Sequence, residues 1–267
     1  VLAGLLIAAG NILRPEGIVV MAALLLAFLF HLLKPENEKR SLIAARVLIL
    51  AVIYFGANFL ASESIISQGI NPKGLSNNNM LWKFVAGLNY DSNGTFSMED
   101  SKLVYDKTIT LEQREAIQRS LIEERLKMGP RKLVNKEHYL WSGNPLFWSV
   151  RHLENKNIQF LGKSIPFNNI ENLAAEYHAL QMVVLILLSL AGAVLRFKKP
   201  LDHKIMVYYF ILLMTAVIYL VIEVQTRYVY FPQYALVVAA AIGIEEICER
   251  LEALSLPGQN RQVNRQG

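Results

Sequence analysis

Long apolar runs are the feature that most limits what this chain can fold into. A helix of roughly 17–25 apolar residues crosses the hydrocarbon core of a bilayer. Six runs approach or reach this length, and we name them segments A to F: residues 1–13, 17–33, 42–61, 179–195, 205–222 and 230–247. Segment A begins at Val1, so we expect it to be a truncated helix. The pattern predicts an all-α polytopic membrane protein with about six transmembrane segments.

The composition agrees with a membrane protein. Of the 267 residues, 53% are hydrophobic and 18% are charged, and the mean hydropathy is +0.30. The formal net charge of +5 suits lysines and arginines that fix the orientation in the membrane and contact anionic headgroups. We therefore expect membrane lipids, and no nucleic acid, among the partners. The single cysteine, Cys248, excludes a disulfide framework and a cysteine zinc site within this sequence.

Lysine and arginine in two short loops predict the orientation. Lys34, Lys39 and Arg40 lie between segments B and C, and the loop between segments D and E is also basic. Short basic loops stay in the cytoplasm. Because the segments alternate in direction, the A–B turn, the E–F turn and the long polar region then lie on the extracytoplasmic side. Segments A–C, the extracytoplasmic region, segments D–F and a cytoplasmic tail are predicted at residues 1–61, 62–176, 177–247 and 248–267.

The long polar region contains the signature of an amphipathic helix. Thr110 and Gln113 stand at the two positions of a capping box, which predicts a helix that starts near Leu111. A Gly-Pro pair at residues 129–130 ends the pattern. The apolar face, which either packs on the rest of the region or lies on the membrane surface, consists of Ile117, Leu121, Ile122 and Leu126. We expect acidic residues such as Asp100 on solvated faces and at helix starts.

A tight turn between segments A and B concentrates polar groups at the ends of two membrane helices. Residues 10–17 read GNILRPEG, and Pro15 suits the first turn of the helix that follows. Arg14 lies on the side that the topology does not favour for cations, which makes it a candidate functional residue together with Asn11 and Glu16. The alternative is an arginine that reaches lipid headgroups, with Glu16 as its partner.

The turn between segments E and F carries a second arginine on the same predicted side. Residues 223–232 read EVQTRYVYFP. Glu223 and Arg227 are four residues apart in this stretch, so on a continuing helix their charges would pair. Tyr228 adds a hydroxyl group at the membrane interface. The alternative is an aromatic belt with a surface ion pair.

Together the two turns predict a site for an anion. Arg14 and Arg227 lie at the same predicted depth, and guanidinium groups bind phosphate through paired hydrogen bonds without losing their charge. A phosphate group at the outer membrane surface indicates a lipid phosphate carrier. The residues predicted to bind this lipid phosphate are Arg14, Glu16, Asn11, Glu223, Arg227 and Tyr228. The alternative places each arginine with its own acid, on different sides of the bundle.

The two motifs also carry a family resemblance. GNILRPEG and EVQTRYVYFP, with a large outer loop between them, resemble the C-terminal half of GT-C superfamily enzymes, in particular the polyprenyl-phosphate-mannose mannosyltransferases of glycosyltransferase family 39. The resemblance implies a hexosyltransferase of a bacterial plasma membrane that moves a sugar from a polyprenyl-phosphate donor to an extracytoplasmic acceptor. It also implies an acidic catalytic motif upstream of Val1, so we expect this piece alone to be inactive. No cofactor is assigned, and the participation of a divalent metal stays open.

Two other functions stay open on the sequence. A cell-envelope membrane enzyme of the O-antigen polymerase or ligase type also uses a polyprenyl carrier and extracytoplasmic arginines. Internal repeats and helices that are broken near the bilayer midplane would favour a transporter. In this sequence the charges lie at the ends of the apolar segments instead, which makes transport the weaker alternative.

Overall fold

The computed structural model describes residues 1–33, 39–76, 80–106, 108–127, 133–142, 151–153, 155–197, 199 and 202–255. Its helices are α1 (Leu2–Leu13), α2 (Gly17–Leu33), α3 (Arg40–Ser67), α4 (Met80–Gly87), α5 (Met98–Val104), α6 (Leu111–Leu126), α7 (Leu133–Ser142), α8 (Phe167–Arg196), α9 (His203–Val221) and α10 (Tyr230–Ser255). Short 3₁₀ turns occupy Arg151–Leu153 and Thr226–Val229, and an antiparallel hairpin joins β1 (Asn157–Phe160) to β2 (Lys163–Pro166). Residues 34–38 of the basic loop and the predicted stop at residues 129–130 lie outside the described residues.

Four helices, α3, α8, α9 and α10, are long and apolar enough to cross a membrane. Helices α1 and α2 are also apolar but have only 12 and 17 residues. Each of these six helices overlaps one of the segments A to F, and α2 has the predicted bounds of segment B. The prediction of a helical membrane protein is therefore confirmed, whereas the number of spans and the arrangement of the loops stay predictions.

The apolar helices pack side by side. Helix α1 contacts α2 and α3, α2 contacts α9, and α10 contacts both α9 and α8. At the crossing of α8 and α10, a Cβ atom added to Gly243 would lie 2.0 Å from the carbonyl oxygen of Leu188. Small residues permit such close approach of helix backbones in membrane proteins. The same helices are joined near the end of α8 by buried Glu246, which binds Arg196 at 2.8 Å and Lys199 at 2.7 Å.

The borders of region 62–176 are more helical than predicted. Helix α3 continues beyond segment C to Ser67, and α8 begins at Phe167, ahead of segment D. Both extensions are polar, so hydropathy did not reveal them. The small β hairpin was not part of the all-α expectation. Its turn residues, Leu161 and Gly162, have φ values of 51° and 75°, which is typical of the two-residue turns that join antiparallel strands.

Helix α6 forms with the predicted capping box. Oγ1 of Thr110 accepts a hydrogen bond from the N–H of Gln113 at 3.2 Å, and Oε1 of Gln113 accepts one from the N–H of Thr110 at 2.8 Å. Leu126 is 59% exposed, which corrects its assignment to the packed face. Packing on the rest of the region is confirmed for the other residues of that face, since a buried cluster contains Trp82, Val85, Ala86 and Val104 with Ile117, Leu121 and Ile122 against it.

Asp100 lies in the first turn of α5, as expected of an acidic residue at a helix start, but it is buried, which corrects the expectation of a solvated carboxylate. Its oxygens accept two hydrogen bonds from Arg125, at 2.7 and 2.9 Å, and one from Asn89 at 2.7 Å. The same guanidinium donates to the carbonyl oxygen of Val85 at 2.6 Å. Paired and hydrogen-bonded in this way, the two charges hold α6 against α4 and α5.

Region 62–176 docks on the end of α9. The N–H of Glu223 donates to the carbonyl oxygen of Lys83 at 2.7 Å, and the N–H of Val224 donates to that of Gly94 at 2.8 Å. These backbone bonds join residues that are far apart in the sequence. They bring α4 to the end of the bundle at which the α1–α2 and α9–α10 turns lie.

Candidate anion-binding site

A cavity of about 540 Å³ lies where α4 meets the two turns. It is lined by Arg14, Pro15, Glu16, Lys83, Tyr219, Ile222, Glu223, Arg227 and Tyr228. Arg14 and Arg227 therefore face one cavity and do not lie on opposite sides of the bundle. Of the residues predicted to bind lipid phosphate, Asn11 alone is outside this lining.

Asn11 supports the α1–α2 turn and does not face the cavity. Its side-chain nitrogen donates to the side-chain oxygen of Asn58 on α3 at 2.8 Å. Its side-chain oxygen accepts a hydrogen bond from the N–H of Ile18 at 3.1 Å. The amide thus joins three helices next to the turn that carries Arg14, and both of its polar atoms are engaged within the protein.

Arg14 directly follows α1 in an extended conformation, with φ −154° and ψ 126°. Its Nε lies 2.9 Å from Oε1 of Glu16, and the side chains of the pair are 43% and 17% exposed. Burial raises the pKa of Glu16, and the neighbouring guanidinium opposes that shift. Because a guanidinium has five N–H donors, this ion pair leaves further donors of Arg14 for a ligand.

The second turn does not continue as a helix, which corrects the predicted pair of Glu223 and Arg227. Residues 222–225 are irregular, so the two side chains are not one helical turn apart. Glu223, which is 3% exposed, forms its ion pair with Lys83 on α4. The same carboxylate accepts a hydrogen bond from Nε2 of Gln225 at 2.9 Å. Arg227 is therefore left without this acid.

Lys83 is the site residue that sequence reasoning missed. It is the single charged residue of α4, MLWKFVAG, and an isolated cation in an apolar helix was the one available signal. Nothing in the sequence places α4 beside two turns that lie far away along the chain. Burial lowers the pKa of Lys83, but its interactions with Glu223 and Tyr228 outweigh this and hold the pKa above its ordinary value. The cavity therefore keeps this cation at neutral pH.

Three cations converge on the ring of Tyr228. The ring centroid lies 5.2 Å from Cζ of Arg14, 5.9 Å from Nζ of Lys83 and 5.9 Å from Cζ of Arg227. The ring also stacks on Tyr219, with centroids 5.5 Å apart. The negative face of an aromatic ring attracts cations at these distances. Tyr228 thus helps to hold three positive charges close together.

The charge balance of the cavity is positive. Glu16 pairs with Arg14, and Glu223 pairs with Lys83. Within the part of the chain that the structure describes, Arg227 contacts the ring of Tyr228 and has no carboxylate partner. One uncompensated guanidinium beside two paired cations favours a bound anion.

Comparisons with protein-family models, with curated proteins and with solved structures found no match to this chain. Functional conclusions therefore depend on the chemistry of the cavity and on the sequence motifs. The cavity connects the two, because its arginines come from the same two turns in which those motifs lie.

The carboxylates of the cavity are not arranged for a metal ion. The described residues contain no group of three or more histidine, cysteine, aspartate or glutamate side chains that could hold one. Glu16 and Glu223 are each bound to a cation already. The arrangement therefore favours an anion that binds directly to the side-chain cations.

Proposed function

We propose that this protein is part of a membrane glycosyltransferase of the GT-C type, and that the cavity binds the phosphate of a polyprenyl-phosphate sugar donor. The convergence of three cations on Tyr228, with two carboxylates among the described residues that line the cavity, is the observation that supports this most strongly. The sugar is transferred to an acceptor on the extracytoplasmic side, as the resemblance to glycosyltransferase family 39 implies.

The uncompensated charge suits the leaving group of such a transfer. An acceptor hydroxyl loses its proton to a general base and attacks the anomeric carbon. The bond from that carbon to the phosphate oxygen breaks, and its electron pair stays on the phosphate. A phosphodiester with one negative charge becomes a monoester with a charge of about −1.5 to −2. Arg227 would donate to the group on which this charge develops, and so would stabilise the transition state more than the ground state.

The position of the cavity at helix ends suits a lipid-linked ligand. Arg14 directly follows α1, and its neighbour Leu13 is 88% exposed. A prenyl chain would lie along such exposed apolar surface while its phosphate enters the cavity. A transporter would hold its substrate near the bilayer midplane instead. The location of the charges therefore favours an enzyme that acts at the membrane surface.

Binding of farnesyl phosphate, a short-chain polyprenyl phosphate, tests the proposal. For the full chain in lipid nanodiscs, we expect farnesyl phosphate to bind about 10- to 100-fold more tightly than farnesol, because the alcohol lacks the charge-assisted hydrogen bonds. Isothermal titration measures both affinities. Equal affinities would contradict the proposal. A preference for farnesyl diphosphate would favour the alternative of a polymerase or ligase that acts on a polyprenyl pyrophosphate.

The proposed orientation places the cavity and region 62–176 outside, and the α8–α9 loop and the end of α10 inside. In a Cys248→Ala background, a cysteine introduced at Ser142 should react with a membrane-impermeant maleimide in intact cells. A cysteine introduced at Ser255 should react only after permeabilisation, which controls for intact membranes. The reverse labelling pattern would contradict the orientation that the basic short loops predict.

A further inference from the structure

Lys136 is a buried lysine next to the cavity. Its side chain is 0% exposed, although lysine is almost never fully buried unless it is paired. The ammonium group donates to three carbonyl oxygens, that of Gly87 at 2.6 Å and those of Leu220 and Ile222 at 3.0 Å each. A single charge on α7 thus binds the backbone of α4 and of α9.

These carbonyl groups lie where helices end. Helix α4 ends at Gly87 and α9 ends at Val221, and the last carbonyl groups of a helix have no partner within it. A cation at a helix C-terminus satisfies such groups and offsets the negative end of the helix dipole. Lys136 therefore fixes the backbone at the point where α9 changes into the irregular segment 222–225.

The surrounding backbone closes tightly on this side chain. A Cβ atom added to Gly94 would lie 2.4 Å from Cε of Lys136. The carbonyl oxygen of Gly94 accepts a hydrogen bond from the N–H of Val224 at 2.8 Å, while Lys136 binds the carbonyl of Ile222. Both sequence neighbours of Glu223 are therefore held by region 62–176.

We infer that Lys136 is a positioning residue of the donor-phosphate cavity. By holding Ile222 it orients Glu223, whose carboxylate retains Lys83 beside the ring of Tyr228. Lys136 does not line the cavity itself, so it acts through these residues and not on the ligand. The inference rests on the proposed function, since it concerns the arrangement of the cations that would bind the phosphate.

Deprotonation of Lys136 weakens its hydrogen bonds to the three carbonyl groups, so a change of pH can test these bonds without a mutation. Burial lowers the pKa of Lys136 to about 8, and the charge of Glu137 opposes that shift. The three carbonyl groups also favour the charged form. Loss of the proton removes one of three N–H donors. The elements packed against α7 and the segment around Gly94 also carry charged and titratable groups, namely Lys83, Tyr90, Asp91, Glu171, Glu176, Tyr177, His178, Tyr219, Glu223, Arg227 and Tyr228. Of these, Lys83 has a raised pKa and keeps its charge in this range.

Loss of the proton from Lys136 should lower the affinity for phosphate and raise the stability of the protein. In the unfolded chain the amine has its ordinary pKa of 10.5, so above about pH 8 the unfolded state binds more protons than the folded state. The buried charge of this amine therefore opposes folding below about pH 8, and the free energy of unfolding rises as the pH increases and this penalty is relieved. Affinity should fall in the same window, because the segment that orients Glu223 loses a hydrogen bond. A lysine with only a structural role would leave the affinity unchanged.

Titrations with farnesyl phosphate from about pH 7 to about pH 9.5 test the inference. The second pKa of the phosphate is about 6, so the charge of the ligand changes little over this range. For the wild-type full chain in nanodiscs we expect affinity to fall about 10-fold, with a midpoint at or above pH 8. Lys136→Met should bind more weakly at neutral pH and should lose this pH step. Lys102→Met, which changes an exposed lysine, should keep the wild-type profile.

The outcomes separate the inference from the function on which it rests. Wild-type affinity at neutral pH in folded Lys136→Met overturns the role of Lys136. A wild-type affinity that stays constant over this pH range does so as well, and this second test does not require Lys136→Met to fold. The proposed function is unaffected by that outcome if Arg227→Ala still loses phosphate binding. Absence of phosphate-dependent binding at every pH overturns the proposed function, and the inference with it.

Discussion

Replacement of Arg227 by alanine is expected to weaken farnesyl phosphate binding about 10- to 100-fold, which is the effect of losing charge-assisted hydrogen bonds. Arg227 contacts Tyr228 and has no carboxylate partner among the described residues, so its removal leaves no buried charge unpaired. Thermal stability and membrane insertion should therefore stay close to wild type. Arg227→Lys should restore only part of the affinity, because an ammonium group cannot form the paired hydrogen bonds of a guanidinium.

Arg119→Ala is the matched control for this variant. Arg119 is exposed on α6 and does not line the cavity, so its loss changes the net charge of the protein without changing the site. Equal losses of affinity in the two variants would indicate a general effect of charge. Wild-type affinity in Arg227→Ala would make Arg227 an anchor at the membrane interface and would remove the main chemical reason for a glycosyltransferase.

Replacement of Lys83 by methionine should lower both stability and affinity. The change leaves the carboxylate of Glu223, a 3% exposed residue, without its ion-pair partner. An unpaired buried charge costs about 3–5 kcal/mol, and we expect a smaller loss of about 1–3 kcal/mol because the Lys83 side chain is 36% exposed. Thermal unfolding in detergent and titration with farnesyl phosphate measure the two effects.

The double variant Lys83→Met/Glu223→Gln separates pairing from binding. Glutamine keeps the shape of glutamate without its charge, so most of the lost stability should return. Affinity for farnesyl phosphate should stay low, because one of the three cations around Tyr228 is still missing. Affinity that returns together with stability would show that Lys83 serves the fold alone, and would contradict its role in anion binding.

Apolar length and local hydrogen-bonding signals were sufficient to predict the six apolar helices and α6, whereas α4, α5 and α7 were not predicted. Helix α2 has the predicted bounds Gly17–Leu33, and the capping box of Thr110 and Gln113 forms as expected. Both features depend on residues that are close in sequence: an apolar run satisfies its own backbone as a helix, and a cap binds the next turn. Counting the alternating segments also predicted that Arg14 and Arg227 lie at one end of the bundle.

The tertiary structure alone decided which charged side chains contact one another. Lys83 and Lys136 come from region 62–176, and no local pattern identifies the end of α9 as the surface on which that region docks. Glu223 pairs with Lys83 and not with Arg227, because the helix ends before the turn and the spacing assumed for that pair does not exist. Ion pairs and cation–π contacts require distances of a few ångströms between distant parts of the chain. Packing sets those distances, whereas hydropathy and helical periodicity describe only neighbours along the sequence.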